Sequence, residues 1–245
     1  MLSANKSRLF DQMFFHYHQK YLLERRFRYV GFTGDLDPSL VEGRPVLYIM
    51  NHSSWWDGLL AYQAFRKLTS HDHYVMMEEK QLNKFTFFRK LGAFSINKES
   101  ASDVRASFEY TTQLLRAGKR VWMYPQGRIM HQDLRPLSFQ RGIGVLLRRL
   151  PDVAVIPVTL VHGMYGQDKP EALLMAGPPL LDHWGMMDSR MITNRLETVM
   201  EEQLDSQKLE VMKAVNNRPE RYQPLTKSGR STSERFDDVF VRKRG

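Results

Sequence analysis

Short apolar runs that alternate with amphipathic stretches of ten or more residues constrain this chain more than any other feature. Val46-Leu-Tyr-Ile-Met50 is a five-residue apolar run bounded by Pro45 and Asn51, the pattern of a buried strand. Leu59 to Leu68 follows with helical spacing, and His73 to Met77 and Ala93 to Ile96 are strand candidates. Asp103 to Ala117 reads as a helix ended by Gly118, since glycine takes the left-handed conformation that closes helices. Arg120 to Tyr124 and Val153 to Leu160 are further strands, with a helix from about Arg141 to Leu150 between them. A long helical pattern runs from Asp188 to Val215. This alternation predicts an α/β fold, a mostly parallel sheet flanked by helices.

Three segments are expected: residues 1–30 as an amphipathic interfacial helix, 31–215 as the main domain, and 216–245 as a basic C-terminal tail. In the first, Leu9, Phe10, Met13, Phe14, Tyr17 and Tyr21 recur at three- and four-residue spacing beside Lys6, Arg8, Lys20, Arg25, Arg26 and Arg28. Such a stripe suits a helix lying in a lipid interface or one packed on the domain. The 36 basic against 27 acidic side chains, a net charge of +9, favour an anionic partner and with it the membrane surface. The tail turns polar after Asn216 and ends in Arg242-Lys-Arg244, with a short helix suggested near Glu234 to Phe240. No stretch approaches the about 18–20 apolar residues of a membrane span, and the N-terminus lacks the apolar run of a signal peptide. A cytoplasmic protein, peripheral to the cytoplasmic membrane face, is the expectation. Nucleic acid is not an expected partner, because no zinc-finger, RNP or KH pattern is present. The absence of cysteine excludes thiol nucleophiles and disulfides.

The search for chemistry finds no G-x-S-x-G elbow, no phosphate loop of the G-x-x-x-x-G-K-[ST] type, no H-E-x-x-H helix and no G-x-G-x-x-G. His71-Asp-His73 carries metal-capable side chains but reads as a polar loop. What stands out is Asn51-His-Ser-Ser-Trp-Trp-Asp57, directly after the first predicted strand. An imidazole with a carboxylate on one ring nitrogen is a general-base pair. Five residues along a continuous helix would set the two about 140° apart. They meet only if His52 lies in the loop and Asp57 in the first turn, with Ser53 or Ser54 as N-cap. His183 and Asp188 share the spacing but follow no strand.

Three further blocks follow in order. Leu91-Gly-Ala-Phe-Ser-Ile-Asn-Lys98 delivers a lysine to the end of a strand. Trp122-Met-Tyr-Pro-Gln-Gly-Arg128 runs into a turn where Gly127 permits close approach and Arg128 can fork onto a phosphate. Val155-Ile-Pro-Val-Thr-Leu160 carries an internal proline that suggests a bulge or edge. Together with Phe139-Gln-Arg-Gly142, these four blocks over residues 40 to 180 resemble the glycerolipid acyltransferase family, the lysophosphatidic acid and related lysophospholipid acyltransferases.

The resemblance implies roles. His52 is the base that takes the proton of an acceptor hydroxyl, and Asp57 orients it. The oxygen attacks an acyl thioester, on coenzyme A or acyl carrier protein, directly and without an acyl-enzyme; no metal or other cofactor is implied. Lys98, Gln126, Gly127, Arg128 and Arg141 hold the acceptor, and Pro157 shapes the acyl or thioester site. The implied acceptor is a lysophospholipid or glycerol-phosphate alcohol. Two departures bear on it: Gln126 stands where the family's F-P-E-G-T-R has its acid, and Lys98 where arginine is usual. A non-phosphate acceptor such as a glycosylated terpenoid, or a non-catalytic lipid-binding module, are the alternatives.

Overall fold

The computed structural model of the chain describes residues 1–214 and 218–229. Among these residues there are eight strands: β1 (Tyr29–Thr33), β2 (Val46–Met50), β3 (His73–Glu78), β4 (Ala93–Ile96), β5 (Arg120–Met123), β6 (Ala154–Gly163), β7 (Glu171–Ala176) and β8 (Gln223–Pro224). They form one sheet in the order β4-β3-β5-β2-β6-β7-β1-β8. All neighbours run parallel except β6 with β7 and β1 with β8. The helices are α1 (Arg8–Tyr17), α2 (Glu24–Arg26), α3 (Asp57–Leu68), α4 (Glu79–Lys84), α5 (Ala101–Arg116), α6 (Gly142–Arg148) and α7 (Ser189–Lys213). The α/β class expected from the alternation is the class the chain adopts.

Successive residues of a strand point to opposite faces, and β2 shows what that does to the core. Val46, Tyr48 and Met50 pack with Leu60, Ala61, Ala64 and Phe65 of α3, whereas Leu47 and Ile49 pack on the other face with residues of α5, α6 and α7. All five are fully buried, and full burial of one such side chain contributes about 1.5–3 kcal/mol. The register of β2 is thereby fixed, since a one-residue slip would exchange the two faces. The end of α5 is equally determinate. Gly118 has φ +71°, and the N–H groups of Gly118 and Lys119 donate to the carbonyls of Leu115 and Leu114, the paired closure that favours glycine.

Chain direction places the site. From β2 the chain passes through α3 to β3, on one side; from the neighbouring β5 it passes through α6 to β6, on the other. The carboxyl ends of β2 and β5 therefore flank a point where the connections diverge, the crevice in which open α/β sheets bind ligands.

Several elements were not legible in the sequence. Glu171-Ala-Leu-Leu-Met-Ala176 favours helix by propensity, yet it lies wholly buried as β7 between β6 and β1. The expected tail begins too early: β8 pairs with β1, and Tyr222 and Leu225 are buried, because their apolar surface has a place on the sheet that sequence position cannot show. The basic end and the helix suggested near 234–240 lie outside the described residues. At the N-terminus, Leu2 exchanges hydrogen bonds with Ser95 of β4. α1 continues as a π-helical stretch, His18–Leu23, into α2. The apolar stripe divides: Phe10 and Phe14 pack on the core, while Leu9, Met13, Tyr17 and Tyr21 are exposed.

Candidate active site

The loop between β2 and α3 is held from both sides. Buried Asn51 acts as a substitute peptide group, its Nδ2 donating to the Leu160 carbonyl (3.0 Å) and its Oδ1 accepting from the Leu160 N–H (2.8 Å). The next residue, His52, is fixed through its backbone. Its N–H donates to Gln126 Oε1 at 2.6 Å, and its carbonyl accepts from the Met130 N–H at 2.9 Å.

His52 Nδ1 lies 2.8 Å from Asp57 Oδ2. Asp57 opens α3 and is fully buried. The same Oδ2 accepts the backbone N–H groups of Ser53 (2.7 Å) and Ser54 (2.9 Å). The bend that brings residues 52 and 57 together is thus built by the carboxylate. The expected serine cap does not form: Trp56 is the N-cap without a side-chain bond, and Ser54 Oγ accepts from the Trp56 N–H instead. Burial alone would raise the Asp57 pKa, but hydrogen bonds from His162 and His52 outweigh it and hold the carboxyl below its ordinary value. An ionised carboxylate only accepts, so His52 gives it the Nδ1–H and keeps a lone pair on Nε2.

His52 lines a cavity of about 560 Å³ whose walls include Leu59, Tyr62, Phe65, Val75, Leu91 and Ile143. A largely apolar wall that carries a few polar groups, His52 among them, suits a substrate with a long apolar part. The Tyr124 ring lies against His52 with centroids 4.7 Å apart. Burial, then the charge of Asp57, raises the Tyr124 hydroxyl pKa, so the phenol stays protonated.

Of the other residues singled out in the sequence, Lys98, Gly127 and Arg128 line the same cavity. Lys98 Nζ donates to the Gly127 carbonyl and lies 3.9 Å from Glu78. Gly127 has φ +68°, and a Cβ there would stand 3.3 Å from Gln140 Cγ. Three residues are placed otherwise. Gln126 is turned inward onto the His52 backbone, so it holds that loop and does not face the cavity. Arg141 is exposed, at the start of α6, and is absent from the cavity wall although Gln140 and Gly142 belong to it. Pro157 is buried inside β6, away from the cavity. Its carbonyl accepts the Gly177 N–H. Opposite it, the Val155–Leu180 bridge and the Val158–Ala176 pair enclose one extra residue on the segment that pairs with β6. Its missing N–H therefore falls in a bulge, where proline is tolerated.

Trp55 and Trp56 part company: Trp55 lines the cavity, and Trp56 packs edge-on against Phe27 at 5.2 Å. His71 pairs with Asp37 (2.7 Å), and buried His73 stacks on Phe65 while its Nδ1 accepts from Trp122. Asp188 caps α7 and takes no part in a pair with His183.

One contact had no counterpart in the sequence reading. His162 Nε2 lies 2.9 Å from Asp57 Oδ1. A partial signal was available: His162 stands two residues past the predicted strand Val153 to Leu160, and parallel pairing of β6 with β2 sets Val158 beside Met50, so both strands deliver their next residues to the same edge.

The fold and site together define an α/β protein with an imidazole–carboxylate pair at a sheet switch point, its imidazole on the wall of a largely apolar cavity. The sequence pattern of the family described as Acyltransferase matches residues 32–161, just over half of the chain, and the chain belongs to that family. In structure it is similar to the crystal structure of PlsC, the 1-acyl-sn-glycerophosphate (LPA) acyltransferase of Thermotoga maritima. The TM-score is 0.54 and the identity 16%, over 81% of this chain and 76% of that one. At that identity the likeness is one of fold. No curated protein matches the sequence. Among the described residues no helix is long and apolar enough to cross a membrane.

Proposed function

We propose that this protein transfers a fatty acyl group from an acyl thioester, on coenzyme A or acyl carrier protein, to the hydroxyl of a lysophospholipid or glycerol-phosphate-type alcohol. The observation that carries the reading is the 2.8 Å contact between His52 Nδ1 and buried Asp57, with His52 on the wall of a largely apolar cavity. His52 Nε2 takes the hydroxyl proton as the oxygen bonds to the thioester carbonyl carbon. The carbonyl electron pair moves onto oxygen, returns, and breaks the carbon–sulfur bond; the departing thiolate recovers the proton from the imidazolium. No acyl-enzyme is formed. General-base help of this kind contributes about 10²–10⁴ in rate, and positioning of two substrates supplies the rest.

For the acceptor, Arg128 is the exposed guanidinium on the cavity wall and suits a phosphate. A non-phosphate acceptor is the second reading, favoured by the engagement of Lys98 with Gly127 and Glu78 and of Gln126 with His52. The exposed Leu9, Met13, Tyr17 and Tyr21, flanked by Lys20, Arg25 and Arg26, support contact with an anionic membrane face.

The test is to supply labelled acyl-coenzyme A with lysophosphatidic acid, then with uncharged lipid alcohols, to the wild type and to His52→Ala. Acyl transfer that the substitution abolishes supports the reading. Equal thioester turnover in the variant overturns it, and liposome binding without any turnover identifies a lipid-binding module.

A further inference from the structure

The carboxylate that orients His52 carries a second imidazole, which the proposed reaction does not use. Asp57 Oδ2 takes three donors, His52 Nδ1, Ser53 N and Ser54 N, while Oδ1 takes one, His162 Nε2 at 2.9 Å. Because the carboxylate only accepts, His162 donates its Nε2–H and keeps its lone pair on Nδ1. The two rings therefore use opposite nitrogens on one acid. They also face different spaces: His52 lines the large cavity, and His162 lines a separate one of about 370 Å³ with Ser53, Trp56 and Gln132. His162 is itself anchored. Its N–H and carbonyl bond Gln132 Oε1 and Nε2, both at 3.0 Å.

We propose that His162 is a positioning residue for the base. By occupying Oδ1 it stops the Asp57 carboxylate from turning about its Cβ–Cγ bond and keeps Oδ2 aimed at His52 Nδ1. Asp57 is fully buried with His162 in place, so an apolar side chain of similar volume there leaves Oδ1 covered and without its donor. A buried charged oxygen left unpaired carries a large penalty. The carboxylate then turns to share the donors crowded on Oδ2, and the bond to His52 lengthens. His52 loses its fixed orientation although every group that contacts it is still present. The inference rests on the acyl-transfer reading only for what the base acts upon; the geometry it concerns exists in the resting protein.

The experiment compares His162→Leu, which removes the donor at similar volume, with His162→Gln, whose Nε2 amide donates from nearly the same point. Two quantities are measured: steady-state acyl transfer, and the proton resonance of the His52 Nδ1–H in the protein without substrate. The leucine variant is expected to lose about ten- to hundredfold in kcat, the order set by one hydrogen bond to a charged group, with KM for both substrates unchanged. Its His52 resonance moves from the wild-type position. The glutamine variant restores both quantities to within about threefold in kcat and to the wild-type shift. A leucine variant with wild-type kcat and resonance overturns the proposal, as does equal impairment of the two variants. Should the wild type transfer no acyl group, the acyl-transfer reading fails, and the resonance comparison still decides the role of His162.

Discussion

Asp57→Asn separates the charge of the carboxylate from its shape. The asparagine carbonyl oxygen can sit at the Oδ2 position and keep the bonds from His52, Ser53 and Ser54, now at 2.8, 2.7 and 2.9 Å. The amide nitrogen then faces His162, which need only present its other tautomer. The reverse orientation would set an N–H₂ group against three donors and is excluded. The tautomer of His52 therefore survives, and what disappears is the negative charge beside the imidazolium that the proposed reaction forms when the acceptor hydroxyl is deprotonated. With about 4 Å between the charge centres and an effective dielectric near 20, that charge stabilises the imidazolium by about 4 kcal/mol. A loss of this size corresponds to about 10³ in kcat. The assay follows release of the free thiol from acyl-coenzyme A at saturating acceptor, with KM measured for each substrate. Both KM values should hold, because the carboxylate touches neither substrate. A fall in kcat of less than about fivefold would refute the argument that Asp57 acts by its charge, and unchanged activity would remove it from the mechanism.

Two other outcomes are expected. Burial of His18 in the π-helical stretch lowers its pKa to about 4, against a smaller opposing pull from the Leu59 backbone. The unfolded chain then binds one more proton than the native one between about pH 4 and 6.5, so stability falls as pH drops through that window, by about 3 kcal/mol in total. Urea unfolding of His18→Leu should show a shallower loss between pH 7.5 and 4.5 than the wild type, and equal pH dependence would refute the assignment. At the exposed stripe, Leu9→Ser with Met13→Ser removes about 1 kcal/mol of apolar transfer at each half-exposed position. Co-sedimentation with anionic vesicles should weaken about thirtyfold while the fold is retained; unchanged binding would take α1 out of the membrane contact.

How far the site was legible follows from where its constraints act. His52 and Asp57 were visible because the strand before them, Val46–Met50, is apolar throughout and the loop is only six residues long. Lys98 and Gly127 were visible as strand ends and turn formers. Gln126 stands in the loop to which the family resemblance gives the acceptor, and the sequence does not say which way it faces. Its Oε1 is drawn inward by the His52 N–H, a group 74 residues away in sequence. β7 was missed for a related reason: its residues favour helix locally, and only pairing with β6 on one side and β1 on the other overrides that preference.

The amino-acid sequence determined the alternation of strand and helix, the α/β class that follows from it, and the imidazole and carboxylate at the end of the first central strand, because each is written in local periodicity or close spacing. The tertiary structure decided which residues share the carboxylate. Parallel pairing of β2 with β6 carries His162 to Asp57 across 105 residues of chain, and the diverging connections after β2 and β5 open the cavity beside His52. Such juxtapositions depend on strand order, which no local pattern encodes.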